Sequence, residues 1–434
     1  MNIIISYPKI KKYFNITTPP KSASRYLKKS LFNYEVKNKD NQVIIYNTLY
    51  NSLVLLSDSE YRLYNELQNK TLYETDFFSE LSKNGFLVPV DTDEKKEYLD
   101  WVNHQENKAN ILKIMLAYSL ECNAKCYYCF ENRIRSNSVD LNWAKKVISF
   151  LKERAHDYEH IAITWYGGEP LLHQDIISNI SVSLKQNKLN FSSNIDTNGA
   201  LLKDIADSKK IKTWNLKSIQ LPIDGTEQVH LCTKQFDKNI FFSFDNLYKS
   251  IDFFLQNNVY IKIRLNISCK NRESIIEIAK QLSSRFSGEK YLSLYPAFLN
   301  GLTPKLTSKE KIIFIKELFN SVNDPSILGM PIRLCSSPRY KSCMYNDQNG
   351  FAIDPYCNIY PCASMVGNIN LIDCKLNDFS SNVLKHDVLL HNRCDDCVFL
   401  PKCLGGCHYN FINGDLPCNN NVFLIKGYLL SLMS

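Results

Sequence analysis

The chain has 434 residues, a length that suits two or three domains. Its hydrophobic content of 44% and charged content of 22% are typical of a globular protein. The net charge of +8, from 52 basic and 44 acidic residues, is too small to indicate a nucleic-acid partner. The sequence contains no apolar run of membrane-spanning length and no signal peptide. We therefore expect a cytoplasmic protein with no membrane partner, whose 15 cysteines indicate metal binding rather than disulfides.

The first hundred residues predict three short strands followed by helices. The strands are expected at 32–36, 43–46 and 53–56. Ser57 and Glu60 form a Ser-x-x-Glu capping box, which predicts that a helix begins there. The later elements are a helix at 74–83, a strand at 86–90 and a charged linker helix at 93–105.

Residues 111–298 alternate between strand and helix patterns, which indicates a parallel sheet. Six such units suit an open, partial barrel, in which functional side chains collect at the C-terminal ends of the strands. The predicted strands are 111–120, 161–166, 191–196, 218–223, 260–268 and 291–298. Helices are predicted at 142–155, 172–184, 246–256 and 272–284.

Three cysteines follow the first of these strands within eight residues: Cys122, Cys126 and Cys129. Iron–sulfur cubes are normally held by four cysteine thiolates. Three thiolates from one loop would leave one iron without a protein ligand and free to bind a small molecule. A zinc knuckle is the alternative that the spacing leaves open.

Further motifs stand at the ends of the next four strands. Gly167-Gly168-Glu169-Pro170 ends the second strand, where adjacent glycines allow a close backbone approach and proline fixes the turn. The later strand ends carry, in chain order, Thr197 and Asn198, then Asp224, then Arg264 and Asn266.

The cysteine loop and these strand-end motifs together resemble radical S-adenosylmethionine (SAM) enzymes. The resemblance implies that SAM chelates the open iron of a [4Fe–4S] cluster. An electron from a reductase such as flavodoxin or ferredoxin then releases a deoxyadenosyl radical, which abstracts a hydrogen atom from the substrate. Pro222 lacks the hydroxyl that often contacts the SAM ribose, and Arg264 would pair with the SAM carboxylate or form a structural salt bridge. The implied SAM contacts are Gly167, Gly168, Glu169, Pro170, Thr197, Asn198, Asp224, Arg264 and Asn266.

A second set of cysteines lies in the last hundred residues. Their spacing resembles the SPASM extension of radical SAM enzymes, although a zinc ribbon is the alternative for 394–407. The resemblance implies two auxiliary [4Fe–4S] clusters, and therefore three clusters in the whole chain. One departure is that Cys357 occupies the usual glycine position. The implied ligands are Cys335, Cys343, Cys362 and Cys407 for one auxiliary cluster, and Cys394, Cys397, Cys403 and Cys418 for the other.

The predicted fold class is α/β, a partial (β/α)6 barrel at 106–320 between two other domains. Residues 1–105 resemble the winged-helix-like α+β domains that bind leader peptides in ribosomal peptide maturases, although a structural cap is the alternative. Residues 321–434 would form a loop-rich iron–sulfur domain.

The predicted function is a radical SAM peptide maturase acting on a precursor peptide with a leader. The expected product is a thioether or a carbon–carbon crosslink. An anaerobic sulfatase maturase is the first alternative, although those enzymes typically have an acidic residue where Ala363 follows Cys362. A non-catalytic iron–sulfur electron carrier is the second. The substrate sequence and the catalytic base stay open, as does whether an auxiliary cluster binds a substrate thiolate or only accepts an electron.

Overall fold

The structure is a computed structural model that describes residues 2–5, 26–67, 76–104, 110–129, 131, 141–299, 302, 304–329, 338–340, 343–380, 390, 392–414, 418 and 420–433. The strands are β1 (Asn2–Ile5), β2 (Leu27–Lys29), β3 (Asn33–Lys37), β4 (Val43–Asn47), β5 (Ser52–Leu56), β6 (Leu87–Pro89), β7 (Ile111–Ser119), β8 (His160–Gly167), β9 (Phe191–Asp196), β10 (Leu216–Ile223), β11 (Tyr260–Ile267), β12 (Leu292–Phe298), β13 (Gly350–Ile353), β14 (Asn358–Tyr360) and β15 (Cys374–Lys375). The helices are α1 (Asp58–Asn65), α2 (Asp76–Lys83), α3 (Glu94–His104), α4 (Leu141–Arg154), α5 (Gln174–Gln186), α6 (Ser208–Trp214), α7 (Glu227–Lys234), α8 (Phe244–Gln256), α9 (Arg272–Arg285), α10 (Ser308–Ser321), α11 (Leu400–Cys403), α12 (His408–Ile412) and α13 (Asn420–Ser431).

The centre of the molecule is a nine-stranded sheet in the order β12-β11-β10-β9-β8-β7-β13-β14-β15. Strands β7 to β12 are consecutive and parallel, which confirms the predicted α/β fold with six strand–helix units. Their bounds differ from the predicted ones by at most two residues. Strand β13 joins β7 in parallel, so the C-terminal region extends the same sheet, an extension that the sequence did not predict.

Apolar and polar side chains alternate along the six parallel strands, so the barrel has an apolar outer face and a polar inner face. In β8, Ile161, Ile163 and Trp165 are buried in the main core. That core includes the apolar faces of the surrounding helices. The intervening side chains are partly exposed and mostly polar, among them Tyr166 of β8 and Asp196 of β9. Side chains on alternate positions of a strand point to opposite faces, so these polar groups line the inside of the barrel.

The N-terminal region forms a separate antiparallel sheet in the order β1-β5-β4-β3. The three predicted strands are present as β3 to β5, and Ser57 and Glu60 form the predicted capping box of α1. Strand β1 and the short β2, which pairs with β6, were not predicted. Strand β3 is an edge of this sheet within the described part of the chain.

The N-terminal and C-terminal regions share a small hydrophobic core. Phe32, Leu49 and Tyr98 pack there with Leu400 and Leu404, all of them buried. The Tyr98 hydroxyl also donates to the backbone carbonyl of Arg339 at 2.6 Å. The N-terminal region therefore supports the segment that carries the last cysteines. None of the described helices is long and apolar enough to cross a membrane.

Candidate active site

The cysteine loop after β7 is held by backbone contacts with the end of α7. The N–H of Lys125 donates to the carbonyl of Lys234 at 2.8 Å, and the N–H of Asp237 donates to the carbonyl of Asn123 at 2.9 Å. Ala124 and Phe236 form an isolated antiparallel bridge between the same segments. The loop that contains Cys122, Cys126 and Cys129 is therefore fixed by main-chain pairing on one side.

A buried polar network lies beneath this loop. Asp224 Oδ2 is 3.2 Å from Lys234 Nζ, and both side chains are at most 2% exposed. The Tyr128 hydroxyl donates to Asp224 Oδ1 at 2.8 Å and accepts from Lys234 at 2.9 Å. Asn266 Nδ2 donates to Asp224 Oδ1 at 3.0 Å, and His230 Nδ1 lies 3.3 Å from Asp224 Oδ2. Two predicted SAM contacts, Asp224 and Asn266, thus lie in a network that includes the loop residue Tyr128.

The network is electrostatically matched. Burial alone would raise the pKa of Asp224, but the Lys234 ammonium and the His230 hydrogen bond outweigh it and hold that pKa below its usual value. Burial alone would lower the pKa of Lys234, but Asp224 and Tyr128 raise it above its usual value. The pair is therefore ionised, as buried charges in proteins usually require a partner.

Glu169 of the Gly-Gly-Glu-Pro segment is fully buried and connects two strand ends. Its carboxylate accepts from the N–H of Leu171 at 2.9 Å, the hydroxyl of Thr197 at 2.7 Å and the N–H of Asn198 at 2.8 Å. Burial raises the pKa of Glu169, and these three donors oppose the rise. The carboxylate therefore positions the Thr197–Asn198 turn beside the end of β8.

The two glycines of this segment are required by their distance to the end of β7. Gly167 has φ +115°, and a Cβ there would lie 2.1 Å from the carbonyl oxygen of Ser119. A Cβ at Gly168 would lie 2.1 Å from the carbonyl oxygen of Glu121. Any side chain at either position would displace the start of the cysteine loop.

Asn198 joins the third strand end to the cysteine loop. Its Nδ2 donates to Asn123 Oδ1 at 2.7 Å and lies 3.9 Å from Cys122 Sγ. The structure therefore brings the three loop cysteines together with the predicted residues at the ends of β8, β9 and β10.

A polar band crosses the inside of the barrel next to these residues. Gln220 Nε2 donates to Asp196 Oδ2 at 2.9 Å, and the Tyr295 hydroxyl donates to Gln220 Oε1 at 2.5 Å. Arg264 belongs to this band rather than to the Asp224 network. Burial raises the pKa of Asp196 to about 6, although Arg264 and Lys262 oppose the rise.

Two more titratable groups adjoin this band. Burial raises the pKa of Glu131 to about 7, and its hydrogen bond with Tyr166 opposes the rise. Burial raises the pKa of Tyr166, and the nearby Glu131, Asp196 and Cys362 add to the rise. Sequence reasoning missed Asp196 and Tyr166 as site residues, although their alternate positions on β8 and β9 were an available signal.

The C-terminal thiols form two groups. Burial raises the pKa of Cys362 to about 11, and Cys343 and Cys407 contribute to the rise. Burial likewise raises the pKa of Cys418, with contributions from Cys397 and Cys394. Cys403 is buried at the end of α11, and Cys335 lies outside the described residues. Thiols whose charges affect one another lie near one another, so Cys343, Cys362 and Cys407 form one group, and Cys394, Cys397 and Cys418 form another.

The described thiols do not converge on one point, as they would around a single metal ion. Among the described residues, no three His, Cys, Asp or Glu side chains meet around one point that could hold a single metal ion. An iron–sulfur cube does not need such convergence, because each thiolate binds a different iron. The loop thiols also act on one another: burial raises the pKa of Cys122 to about 12, and Glu169, Cys126 and Cys129 add to the rise. The donor chemistry and the spacing of the loop cysteines therefore fit a cube.

Comparisons with known proteins agree with this site. Residues 116–282 match the family model described as the Radical SAM superfamily. The radical SAM cyclopropyl synthase TigE of Paramaledivibacter caminithermalis is 24% identical over 374 residues, which cover 76% of this chain and 76% of that protein. A cysteine-type anaerobic sulfatase-maturating enzyme of Clostridium perfringens is 22% identical over 329 residues, which cover 66% of this chain and 85% of that protein.

A solved structure shares the fold. The structure of native anSMEcpe with bound AdoMet and the Kp18Cys peptide superimposes with a TM-score of 0.55 at 18% identity, covering 74% of this chain and 96% of that chain. The matched segment, residues 116–282, contains the cysteine loop, the Gly-Gly-Glu-Pro turn and the Thr197, Asp224 and Arg264 strand ends. This chain is an enzyme that contains a radical SAM domain at residues 116–282.

Proposed function

We propose that the chain is a radical SAM maturase that oxidatively crosslinks a ribosomally made precursor peptide. The observation that carries the proposal is the position of Tyr166 inside the barrel. The groups that act on its hydroxyl include Glu131, which lies two residues beyond Cys129. They also include Cys362 of the first C-terminal thiol group. A substrate bound at this band would therefore lie between a cluster that starts a radical reaction and a cluster that can accept an electron.

The proposed cofactors are three [4Fe–4S] clusters and SAM. The first cluster would be held by Cys122, Cys126 and Cys129, and SAM by the strand-end residues named above. The auxiliary clusters would be held by Cys335, Cys343, Cys362 and Cys407, and by Cys394, Cys397, Cys403 and Cys418. When bound, the first cluster and SAM supply the 5′-deoxyadenosyl radical that takes a hydrogen atom from the substrate. The thiolates that this arrangement requires are kept reduced in the cytoplasm, where we place the enzyme.

The chain's own residues supply positioning and proton transfer. Asp196 lies at the C-terminal end of β9, partly exposed to the barrel interior and next to Thr197. Its pKa of about 6 leaves it ionised at neutral pH and able to accept a proton. Gln220 holds the carboxylate by a hydrogen bond, and the positive charge of Arg264 favours its ionised form, so Asp196 is the candidate proton acceptor of the oxidation.

The relatives support a peptide substrate. TigE is named as a cyclopropyl synthase, and the anSMEcpe structure contains a peptide. An enzyme that joins or oxidises peptide side chains would use the same interior band. Epimerisation is an alternative that would leave the peptide mass unchanged and needs no net electron acceptor. The two groups of C-terminal thiols favour an oxidation instead, because clusters bound there could accept the electron.

The N-terminal sheet offers an edge for leader binding. The N–H of Asn38 bonds to the carbonyl of Gln42, and hydrogen-bonded pairs alternate along an antiparallel ladder. Lys37, opposite Val43, therefore points its N–H away from β4 and toward the open edge. A leader peptide would add a strand here. A cleft of about 1040 Å³ also opens beside this strand, with Ile44, Leu53 and Leu55 along its apolar wall.

The edge can be tested without removing the domain. Lys37→Pro removes one outward donor and should weaken binding of a labelled leader peptide, whereas the matched Lys37→Ala should bind like the wild type. Deleting the domain would be a poor test, because it would expose Leu400 and Leu404. Equal leader affinity in the proline and alanine variants would contradict strand addition at β3.

The reaction itself is tested by mass spectrometry of any short peptide that a neighbouring reading frame encodes. Crosslinking removes two hydrogens, so we expect a product about two mass units lighter per crosslink, formed only with SAM and a reductant. Loss of an iodoacetamide-reactive thiol identifies a thioether, and retained thiols identify a carbon–carbon bond. An aldehyde that reacts with hydrazine would favour the sulfatase-maturase function, for which the 22% identity to the Clostridium enzyme is the supporting observation. An unchanged mass would contradict oxidative crosslinking.

A further inference from the structure

Lys234 is a buried lysine that belongs to no motif in the sequence. Its side chain is 2% exposed, although lysine is among the residues least often buried. It is the last residue of α7, and its backbone carbonyl accepts the N–H of Lys125 in the cysteine loop. The residue is therefore tied to the loop through its main chain as well as through its side chain.

The ammonium of Lys234 has two fixed partners. It lies 3.2 Å from Asp224 Oδ2 and donates to the Tyr128 hydroxyl at 2.9 Å. Tyr128 stands between Cys126 and Cys129 in the chain and donates to the same carboxyl group at 2.8 Å. The three side chains form a closed ring of contacts, so the ammonium has little freedom to move.

Stability alone does not account for such a pair. Burying two charges costs several kcal/mol, and apolar replacements of buried ion pairs are often as stable or more stable. A buried lysine is therefore best explained where its positive charge acts on a nearby functional group. The loop cysteine Cys126 is such a group, because the Lys234 ammonium contacts Tyr128, two residues after it, and the Lys234 carbonyl contacts Lys125, the residue before it.

We propose that Lys234 is a positioning residue of the radical cluster, whose fixed positive charge beside Cys126 makes the reduced cluster easier to form. The inference rests on the proposed function, because it needs a [4Fe–4S] cluster on the three loop cysteines. One-electron reduction by the external reductase adds a negative charge to that cluster. A positive charge held nearby in a buried site lowers the free energy of the reduced form.

Asp224 has a role in this arrangement in addition to the SAM contact that the resemblance implies. One of its carboxylate oxygens accepts from Tyr128 and Asn266, and the other faces Lys234 and His230. The residue is completely buried. Asp224 thus holds the ammonium and the tyrosine of the loop in position.

The test is a redox titration of the anaerobically reconstituted full-length chain, followed by electron paramagnetic resonance. The reduced signal that changes when SAM is added marks the radical cluster among the others. At the potential that half-reduces the wild-type cluster, Lys234→Met should lower the ratio of reduced to oxidised cluster about tenfold, the factor that corresponds to ~1.4 kcal/mol. Lys234→Arg keeps the charge and should stay within about threefold of the wild type. Lys238→Met, at an exposed position just beyond α7, is the matched control and should not change the curve.

Each result bears on a distinct claim. A wild-type titration curve for Lys234→Met would overturn the inference. If that variant binds no iron because Asp224 is left unpaired, the double variant Lys234→Met/Asp224→Asn removes both charges. It should then show a smaller shift in the same direction, and an unchanged curve would overturn the inference. A wild-type protein without any SAM-responsive signal would overturn the proposed function, and the inference with it.

Discussion

The barrel loop 122–129 and the C-terminal segment 343–414 both carry grouped cysteines, but the protein around them differs. The barrel loop follows a nine-residue strand and is paired with α7 by backbone contacts. Within the described part of 343–414, the longest strand has four residues and the longest helix has five. Most of the remaining structure there consists of turns of three residues.

This difference indicates how each site obtains its geometry. In the barrel, Asp224 and Lys234 are buried and hold Tyr128 of the loop by hydrogen bonds that need no metal. In the C-terminal segment few regular elements are available, as in small domains that depend on disulfides or metals for stability. We infer that the barrel loop is preorganised by the chain, whereas the C-terminal segment is organised largely by its clusters.

The largest expected effect comes from removing the ligands of the preorganised loop. Replacing Cys122, Cys126 and Cys129 with alanine should abolish deoxyadenosine formation, because no thiolate remains to anchor the cluster. Three cubes contain about twelve iron atoms, so this variant should lose about a third of the iron and keep the rest. Iron analysis and chromatography of the nucleoside product measure both effects. Undiminished SAM cleavage would contradict the assignment of the loop.

Metal removal tests the comparison directly. Hydrogen exchange of the chelator-treated protein should show lost protection across 343–414 and retained protection in β7 to β12. The physical reason is that the barrel strands are buried in the main apolar core, whereas the C-terminal turns have few regular backbone hydrogen bonds. The reconstituted protein is the control. Equal loss in both regions would show that the barrel also depends on its cluster.

The polar band predicts a pH dependence. Asp196 accepts a proton only when it is ionised, and burial raises its pKa to about 6. Crosslink formation should therefore rise as the pH increases through about 6 and then level off. Asp196→Asn should lower product formation by roughly a hundredfold or more, the usual range for a lost general base, and should remove this rise. Uncoupled SAM cleavage should persist in the variant, and its loss together with the product would contradict a role in proton transfer.

The smallest expected effect concerns Cys357, which stands at the position where the SPASM resemblance implies a glycine. Its φ is +62°, a left-handed conformation that costs a non-glycine residue roughly 1–2 kcal/mol. Cys357→Gly should therefore leave the free energy of unfolding unchanged or raise it by up to about 1 kcal/mol. The matched Cys374→Gly, in strand β15, should lower it by roughly 1 kcal/mol. Chemical denaturation of the reconstituted proteins measures both, and a greater loss for Cys357→Gly would show that its side chain has another role.

Much of the barrel could be predicted because its strands have a strong apolar periodicity. Strand β9 was placed at the correct residues, and β8 differed by one residue at each end. Strands β1 and β2 were not predicted, because their four and three residues are too few to show a clear alternation of apolar and polar side chains. Strand β13 was missed because its pairing with β7 spans more than 200 residues of sequence, which no local pattern encodes.

The site could be predicted only as far as its motifs extend. The cysteine spacing and the Gly-Gly-Glu-Pro turn are contiguous, and both lie where expected. The Lys234 network was invisible because its members are far apart in sequence and meet only in the folded chain. Asp196 directly precedes the Thr197–Asn198 motif but was not predicted as a site residue, since its position on the inner face depends on the curvature of the whole sheet.

The central claim is that this enzyme takes a hydrogen atom from a peptide by means of the loop 122–129. The most direct measurement uses a precursor peptide deuterated at all its carbon-bound hydrogens, α-carbons included, and incubated anaerobically with SAM and reductant. The account predicts deuterium in the 5′-deoxyadenosine, together with a crosslinked peptide. Deoxyadenosine that stays free of deuterium while the peptide is modified would contradict the account.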